Sequence, residues 1–319
     1  MGLANEISRA TRDRAPSVSG GRQARAEERA ALLFLTPWIV GMIAFLIVPL
    51  LWSVWISMTD ERLLVRGEFV GLANYVYMFT SDDRFYKALT VTAQWLLLTL
   101  PLYLIAGLLL SLLLNQKLPG MNFFRTLFYI PAVLPTVAVA ILWLSLLNPS
   151  VGAINQVLRS IGVDNPPQWY NSPTWALPSL MLMGLWGVGG GAIIYLAGLQ
   201  NIPPQLYEAA SVDGAGPLTK FRHITLPMLS PTIFFLLVNG LIDSFLVFGP
   251  AFVLGQPGGG AGPDDALLFY MLYVYNQGFQ GGGFMGYAAA LAWVLTIISA
   301  IAVFLIFRFE KRFVFYETE

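Results

Sequence analysis

Six long apolar runs alternate with polar segments along the chain, and this pattern predicts its architecture. The runs are approximately Ala31–Met58, Leu89–Leu114, Phe123–Leu147, Trp175–Leu199, Ile233–Leu254 and Phe284–Phe307. Each is long enough to cross the ~30 Å hydrocarbon core of a bilayer, which needs about 20 helical residues. Prolines inside several runs are compatible with this, because neighbouring helices and waters can satisfy the carbonyls that proline leaves unpaired. The pattern predicts an all-α membrane protein with six transmembrane helices.

The composition supports the same prediction. Hydrophobic residues make up 56% of the 319 residues and charged residues only 11%, against about 25% charged residues in a typical soluble domain. A soluble chain of this composition could not cover its surface with polar groups. The sequence therefore indicates an integral membrane protein.

Residues 1–30 differ from the rest, since six of them are arginines and residues 17–21 form a polar run. We expect a basic cytoplasmic tail that is mostly disordered. The apolar run that follows is too long for the core of a cleavable signal peptide, so we expect it to remain as the first span. The six-span domain is then expected to occupy residues 31–319.

The distribution of lysine and arginine predicts the orientation. If the N-terminus is inside, the cytoplasmic segments contain thirteen of these residues and the outer loops contain five. Positive residues accumulate on the cytoplasmic side of membrane proteins, so both termini are predicted to be inside. The polar segment 201–231, between the fourth and fifth runs, is then cytoplasmic.

The segment Asn201–Pro231 has a predictable shape. The helix before it ends at Ile202, because a residue that precedes a proline is pushed out of the helical region. Pro204 suits the first turn of a new helix, and the glycines at 214 and 216 can bend the chain after it. A second short segment with one apolar side ends at Pro227. We predict a short surface helix, a bend and a second short helix.

Within this segment the residues Glu208-Ala209-Ala210, Asp213-Gly214-Ala215, Phe221, Ile224, Leu226-Pro227 and Pro231 resemble the EAA loop of bacterial ABC-importer permeases. The resemblance implies that 201–231 is a coupling loop whose helix docks in a groove on a cytoplasmic ATPase subunit. In that role the two alanines leave room for close approach, Glu208 can pair with an arginine and Gly214 sets the angle of the loop. The alternative is an ordinary membrane-surface loop, in which alanine and glycine are merely permissive.

Two outer segments extend the resemblance to carbohydrate-type permeases, such as those of the maltose and glycerol-3-phosphate transporters. The stretch Phe69-Val70-Gly71-Leu72-Ala73-Asn74-Tyr75 is similar to an F-x-G-L-x-N-Y signature, and Gly258–Gly260 through Tyr275 to Ala290 is similar to their last outer loop and span. The resemblance covers roughly residues 30–310. It implies a type I importer permease fold, and it leaves open whether the solute is a carbohydrate.

The resemblance also implies a set of partners in a bacterial plasma membrane. They are a second homologous permease, an ATPase dimer that binds ATP and Mg²⁺, an extracytoplasmic solute-binding protein and membrane lipid, with no nucleic acid. The sequence itself contains no Gly-x-x-x-x-Gly-Lys-Ser/Thr loop for nucleotide phosphates. It contains no cysteine and one histidine, His223, which we interpret as a surface or packing residue of the loop. We therefore predict no catalytic residue, no metal site and no cofactor bound by this subunit.

One acid lies inside a span. Asp243 falls near the middle of the fifth run, where a buried carboxylate costs several kcal/mol unless it is paired or faces water. One hypothesis is that Asp243, with Asn239 and Ser244, faces a translocation path and binds solute hydroxyls. The other is that it makes a structural hydrogen bond to another helix. Among the aromatic residues, Phe248 and Tyr287 are the candidates for the path, because the fifth and sixth spans line it in the family.

An ion-coupled secondary transporter is a competing class. Such proteins normally have internal repeats and paired ionisable groups in the membrane. The sequence offers one intramembrane acid and no convincing repeat, which favours the importer permease. The glycine run 187–191 and the alanines 288–290 are predicted to permit close packing of helices.

Overall fold

The computed structural model describes residues 21–255 and 260–315, and the regular structure of these residues is helical. Two isolated β-bridges join Thr59 to Phe69 and Arg62 to Val65. Most of the predicted tail 1–30, and the glycines at 258 and 259 of the last outer loop, lie outside the described residues. The all-helical architecture predicted from the sequence is confirmed.

The α-helices are numbered here in chain order. They are α1 Gly21–Met42, α2 Val48–Ser57, α3 Ala73–Ser81, α4 Asp83–Leu114, α5 Met121–Val133, α6 Thr136–Leu146, α7 Ala153–Ser160, α8 Pro173–Trp186, α9 Gly189–Gln200, α10 Pro204–Val212, α11 Pro217–Lys220, α12 Leu226–Phe245, α13 Gly249–Leu254, α14 Tyr270–Phe279 and α15 Met285–Phe313. Segments of π-helix, Ile43–Ile47 and Phe221–Thr225, join α1 to α2 and α11 to α12. The chain forms two compact units, and the first ends at Trp55.

Four helical runs of the described chain are long and apolar enough to cross a membrane, namely Arg29–Ser57, Asp83–Leu114, Pro217–Phe245 and Met285–Glu310. Two bent pairs, α5 with α6 and α8 with α9, raise the number to six if each pair is one span. The structure therefore has between four and six candidate spans. The third and fourth apolar runs of the sequence correspond to the two bent pairs.

The third run is bent by 97° between α5 and α6. Leu134 has the extended ψ angle of 143° and Pro135 follows it. A residue before proline avoids the helical region because its backbone would collide with the pyrrolidine ring. The helix consequently stops at Val133 and a new one starts at Thr136.

The fourth run is bent by 45° at Gly187 and Val188. At the bend, the hydroxyl of Tyr103 on α4 donates a hydrogen bond of 2.8 Å to the carbonyl of Gly187, which also accepts from the Gly190 N–H at 3.3 Å. A Cβ atom at Gly189 would collide with the carbonyl of Phe128 on α5. The start of α9 therefore packs directly against the backbone of α5, as the glycine run predicts.

The fifth run differs most from the prediction. The sequence predicts a second short helix that ends at Pro227. This prediction is wrong, because residues 217–245 form one helical run. Its π segment changes the hydrogen-bond spacing just before the proline: the Leu226 N–H donates to the Phe221 carbonyl, five residues back. A widened turn of this kind accommodates the proline ring and its missing donor. The run ends at Phe245, and residues 249–254 form the separate helix α13.

The buried side chains form two clusters in the second unit. The larger one includes Phe85 and Trp95 of α4 and most of the segment 267–274, in which Leu267, Leu268 and Tyr270 are fully buried. The smaller one consists of Leu199, Ile202 and Leu229, and it packs beneath α10. Close van der Waals packing of side chains is what holds apolar helices together within a membrane.

Candidate functional site

A cavity of about 630 Å³ lies where three helical runs are interrupted. Its lining includes Leu134 and Thr136 from the α5–α6 break, Gly187 from the α8–α9 break and Phe248 from the break between α12 and α13. Where a helix stops, its backbone turns away and leaves room that a continuous helix would fill. The breaks described above therefore create the cavity.

The walls of the cavity are mostly apolar and aromatic. Trp95 and Tyr103 come from one face of α4, two turns apart, and Trp186 comes from the end of α8. Planar aromatic faces and a few polar groups are typical of sites that bind organic solutes. A second cavity of about 310 Å³ shares Tyr103 and Asp243 with the first.

Among the described residues that line these two cavities, Asp243 is the one aspartate, glutamate, lysine, arginine or histidine. It is exposed, and within the described ranges no residue donates a hydrogen bond to its carboxylate or forms an ion pair with it. The structural hydrogen bond to another helix, one of the two hypotheses from the sequence, is not present in the described part of this chain. The carboxylate instead faces open space at the cavity wall.

The other predicted path residues divide into two groups. Asn239 lines the second cavity, and its side-chain amide donates to the carbonyl of Phe235, 2.7 Å away on its own helix. Phe248 lines the first cavity and stacks on Phe252, with ring centroids 5.5 Å apart. Ser244 is buried and donates to the carbonyl of Gly240 at 2.6 Å, and it is not among the lining residues of either cavity.

Tyr287 lies apart from both cavities, in a buried hydrogen-bond cluster around Asp82. The Asp82 carboxylate accepts hydrogen bonds from the hydroxyls of Tyr287 on α15 and Tyr273 on α14. It also caps α4, because it accepts from the backbone N–H groups of Arg84 and Phe85 at 3.0 and 3.1 Å. Burial, and then the bond to Asp82, raise the pKa of the Tyr273 hydroxyl, so it remains a donor. The cluster joins α4, α14 and α15.

The sequence contains one local signal for this cluster. Asp82 directly precedes a long apolar run, and aspartate in that position is a typical N-cap. Its two tyrosine partners are 191 and 205 residues away along the chain, so local sequence patterns contain no sign of them.

Tyr287→Phe removes one donor from the cluster and leaves the ring in place. We expect the free energy of unfolding to fall by about 1.5–3 kcal/mol, which is typical of a hydrogen bond to a charged group. Thermal unfolding of the purified protein measures this, with Tyr129→Phe as the control because the Tyr129 ring is exposed and its hydroxyl has no bond among the described residues. Equal unfolding temperatures for the two variants would contradict the role given to Tyr287.

The segment that resembles a coupling loop forms helix α10 and a tight turn. Glu208 and Ala209 are exposed on α10, and Ala210 is half-buried. After Asp213, Gly214 has φ of +76°, and the N–H of Ala215 donates to the carbonyl of Ala210 at 2.8 Å. A left-handed residue at this position closes a helix end, and glycine is the residue that adopts it without strain. The predicted surface helix and bend are both present.

Side-chain bonds attach α10 to the fifth run. The hydroxyls of Tyr207 and Thr225 are 2.9 Å apart, and the Lys220 ammonium donates to the Ser211 hydroxyl at 2.6 Å. The small apolar cluster around Leu229 supports α10 from below. Because α10 is held on several sides, a force applied to it passes to the helix that begins at Pro217.

The solvent side of the loop is uncovered. Leu206, Val212 and Leu218 are 40%, 89% and 78% exposed, and the carboxylate of Glu208 is also exposed. His223 is exposed too, and its Nδ1 lies 3.1 Å from the Thr219 carbonyl. Exposed apolar side chains on one loop are typical of a surface that contacts another protein.

Comparison with known proteins adds independent information. Residues 103–314 match the family described as "Binding-protein-dependent transport system inner membrane component". The "Probable ABC transporter permease protein YesP" of Bacillus subtilis (strain 168) is 38% identical over 96% of this chain and 98% of its own length. The "Arabinooligosaccharides transport system permease protein AraP" of the same organism is 34% identical over 89% of this chain and 90% of its own.

A solved structure is also similar to this chain. It is a chain of the bacterial alginate ABC transporter in complex with alginate pentasaccharide-bound periplasmic protein. The two are 27% identical, with a TM-score of 0.76 over 90% of this chain and 96% of the other.

Proposed function

The chain belongs to the family of binding-protein-dependent transport system inner membrane components, and on that premise we propose that it forms half of the path of an importer for a sugar or sugar-like solute. It is a multi-pass permease of the bacterial plasma membrane. The observation that carries the proposal is the exposed helix α10, which presents Glu208 to a partner and is bonded to the helix that reaches the cavity. Similarity to an arabinooligosaccharide permease and an alginate transporter supports carbohydrate as the solute class.

The proposed topology has six spans with both termini in the cytoplasm, and each bent pair counts as one span. The excess of basic residues on the inner side, thirteen against five, supports it. With this orientation α10 lies in the cytoplasm, where an ATPase can reach it. The Asp82 cluster lies at the opposite end of the spans, on the outer side.

The proposed assembly contains partners for each end of the path. A second homologous permease completes the walls, two ATPase subunits carry ATP and Mg²⁺ below, and a solute-binding protein delivers the solute above. The similar alginate transporter is in complex with a periplasmic protein, which supports the last of these. This subunit is proposed to bind no cofactor of its own.

The mechanism follows from the attachment of α10. When the ATPases close on ATP, they move the α10 residues Glu208, Ala209 and Ala210 together with the turn 213–215. The bonds from Tyr207 and Ser211 transmit that movement to the fifth run. Asp243 lies eighteen residues beyond Thr225 on this run, roughly 27 Å at 1.5 Å per helical residue. Movement of a rigid helix would therefore rearrange the cavity walls.

The double variant Tyr207→Phe with Ser211→Ala tests this transmission. It removes the two hydroxyl groups that bond α10 to the fifth run, each bond being worth about 1 kcal/mol, and leaves the exposed side chains of Glu208 and Ala209 unchanged. We expect uptake per ATP hydrolysed to fall roughly fivefold or more in proteoliposomes, while the ATPase stays bound. Thr219→Ala is the control, because its hydroxyl makes no bond in the described chain. An unchanged ratio of uptake to hydrolysis would show that the bonds do not transmit the movement.

Co-purification tests the proposed function as a whole. A tagged chain isolated from its native membranes is expected to bring down an ATPase and a second permease. If it purifies alone and still transports solute in reconstituted vesicles without ATP, the importer proposal is wrong.

A further inference from the structure

Resting on the proposed carbohydrate path, we propose that the cavity selects its solute by charge. It accepts neutral and cationic hydroxylated solutes, such as neutral sugars and amino sugars, and it disfavours anionic ones such as uronates and sugar phosphates. The residue that makes this selection is Asp243.

The lining of the cavities is the first observation. Asp243 is their one carboxylate, and no lysine, arginine or histidine lines either cavity in the ranges that the structure describes. An anionic solute would meet a negative charge with no basic side chain to offset it. The first turn of α6, at Thr136, also borders the cavity, but a helix N-terminus supplies only about half a unit of positive charge.

The state of the carboxylate is the second observation. Two other acids in the described part of the chain have partners: Asp82 accepts four hydrogen bonds, and Asp265 forms a two-point ion pair with Arg84. The carboxylate of Asp243 has no such partner among the described residues. A structural acid inside a membrane is expected to be paired, whereas one that is left free at a cavity is available to a solute.

The surroundings determine how strongly this charge acts. Trp95, Trp186 and Phe248 make the walls largely apolar, and charges interact more strongly beside apolar walls than in bulk water. The carboxylate can accept hydrogen bonds from sugar hydroxyls or from an ammonium group. Toward a second carboxylate or a phosphate it is purely repulsive.

The chain contains no cysteine, which allows a direct test without knowledge of the solute. Thr136→Cys places the one thiol of this subunit at the cavity. In the reconstituted complex, its rate of modification is measured with three methanethiosulfonates that carry a trimethylammonium group, a sulfonate group or no charge. The neutral reagent reports access, and the ratio of the cationic rate to the anionic rate reports the electrostatic potential at the thiol.

Adding Asp243→Asn to Thr136→Cys is expected to lower the cation-to-anion ratio by about tenfold or more, since the unit charge that lines the same cavity is removed. Asp243→Glu should keep the ratio high, and Asp243→Lys should invert it. The matched control is Asp164→Asn, which removes an acid from the exposed loop after α7 and should leave the ratio unchanged.

Two results would overturn the proposal. One is an equal ratio with and without the Asp243 carboxylate, and the other is a thiol at position 136 that even the neutral reagent does not modify. Neither result affects co-purification of the ATPase, so the charge selection and the importer function fail separately.

Discussion

Glu208→Lys is expected to release the ATPase from the purified complex while the second permease stays bound. Glu208 is exposed on α10 with small neighbours and an apolar rim. In the proposed interface it pairs with a basic residue of the ATPase, and reversal of its charge replaces attraction with repulsion. Disruption of a charge pair in a protein interface typically costs 2–5 kcal/mol, so we expect the affinity for the ATPase to fall by about a hundredfold.

The measurement is quantitative co-purification from native membranes. Glu27→Lys is the matched control, because it reverses an exposed acid of the same predicted cytoplasmic side that is outside the loop. If both variants lose the ATPase, the loss results from the added positive charge in general and not from a contact of Glu208. If Glu208→Lys keeps its full complement of ATPase, α10 is not the docking helix.

Asp82→Ala is expected to lower the free energy of unfolding by about 3 kcal/mol or more. The substitution removes an acceptor shared by the hydroxyls of Tyr273 and Tyr287 and by two backbone N–H groups. Hydrogen bonds to a charged group contribute about 1.5–3 kcal/mol each, and buried donors that lose their acceptor cost about 1–3 kcal/mol. The effect should therefore exceed that of Tyr287→Phe.

Thermal unfolding of the purified protein measures the difference. Asp83→Ala is the control, because Asp83 is exposed in the first turn of α4 and contributes only its interaction with the helix dipole, about 0.3–1 kcal/mol. Asp82→Asn keeps one oxygen acceptor and should fall between the two. A common unfolding temperature for Asp82→Ala and Asp83→Ala would exclude a structural role for the cluster.

The features that were predictable from sequence are those that depend on local patterns. Apolar runs of sufficient length became helices, and the turn after α10 formed at the glycine that could adopt a positive φ. The glycine run allowed α9 to approach α5 closely. In the first two cases neighbouring residues alone determine the outcome, since helix length and left-handed conformations are local properties.

The features that were not predictable depend on contacts between distant parts of the chain. A proline in a membrane helix can kink the helix, break it, or follow a π segment that lets the helix continue. Here the helix breaks at Pro135, whereas the helical run continues through Pro227. The family resemblance places Tyr287 on the path, but in the structure its hydroxyl donates a hydrogen bond to Asp82. Asp243 was identified by its depth alone, because the absence of a partner becomes visible only when the helices are assembled.

The sharp turn at Leu134 and Pro135 has a consequence for biosynthesis. With 13 residues in α5 and 11 in α6, each is roughly 20 Å long or less, shorter than the ~30 Å hydrocarbon core. In the proposed six-span topology the two therefore cross the membrane as a pair. The bent backbone between them tolerates lipid poorly, and α9, which packs on α5, is synthesised later. Stable integration of the α5–α6 pair is then expected to wait for α9.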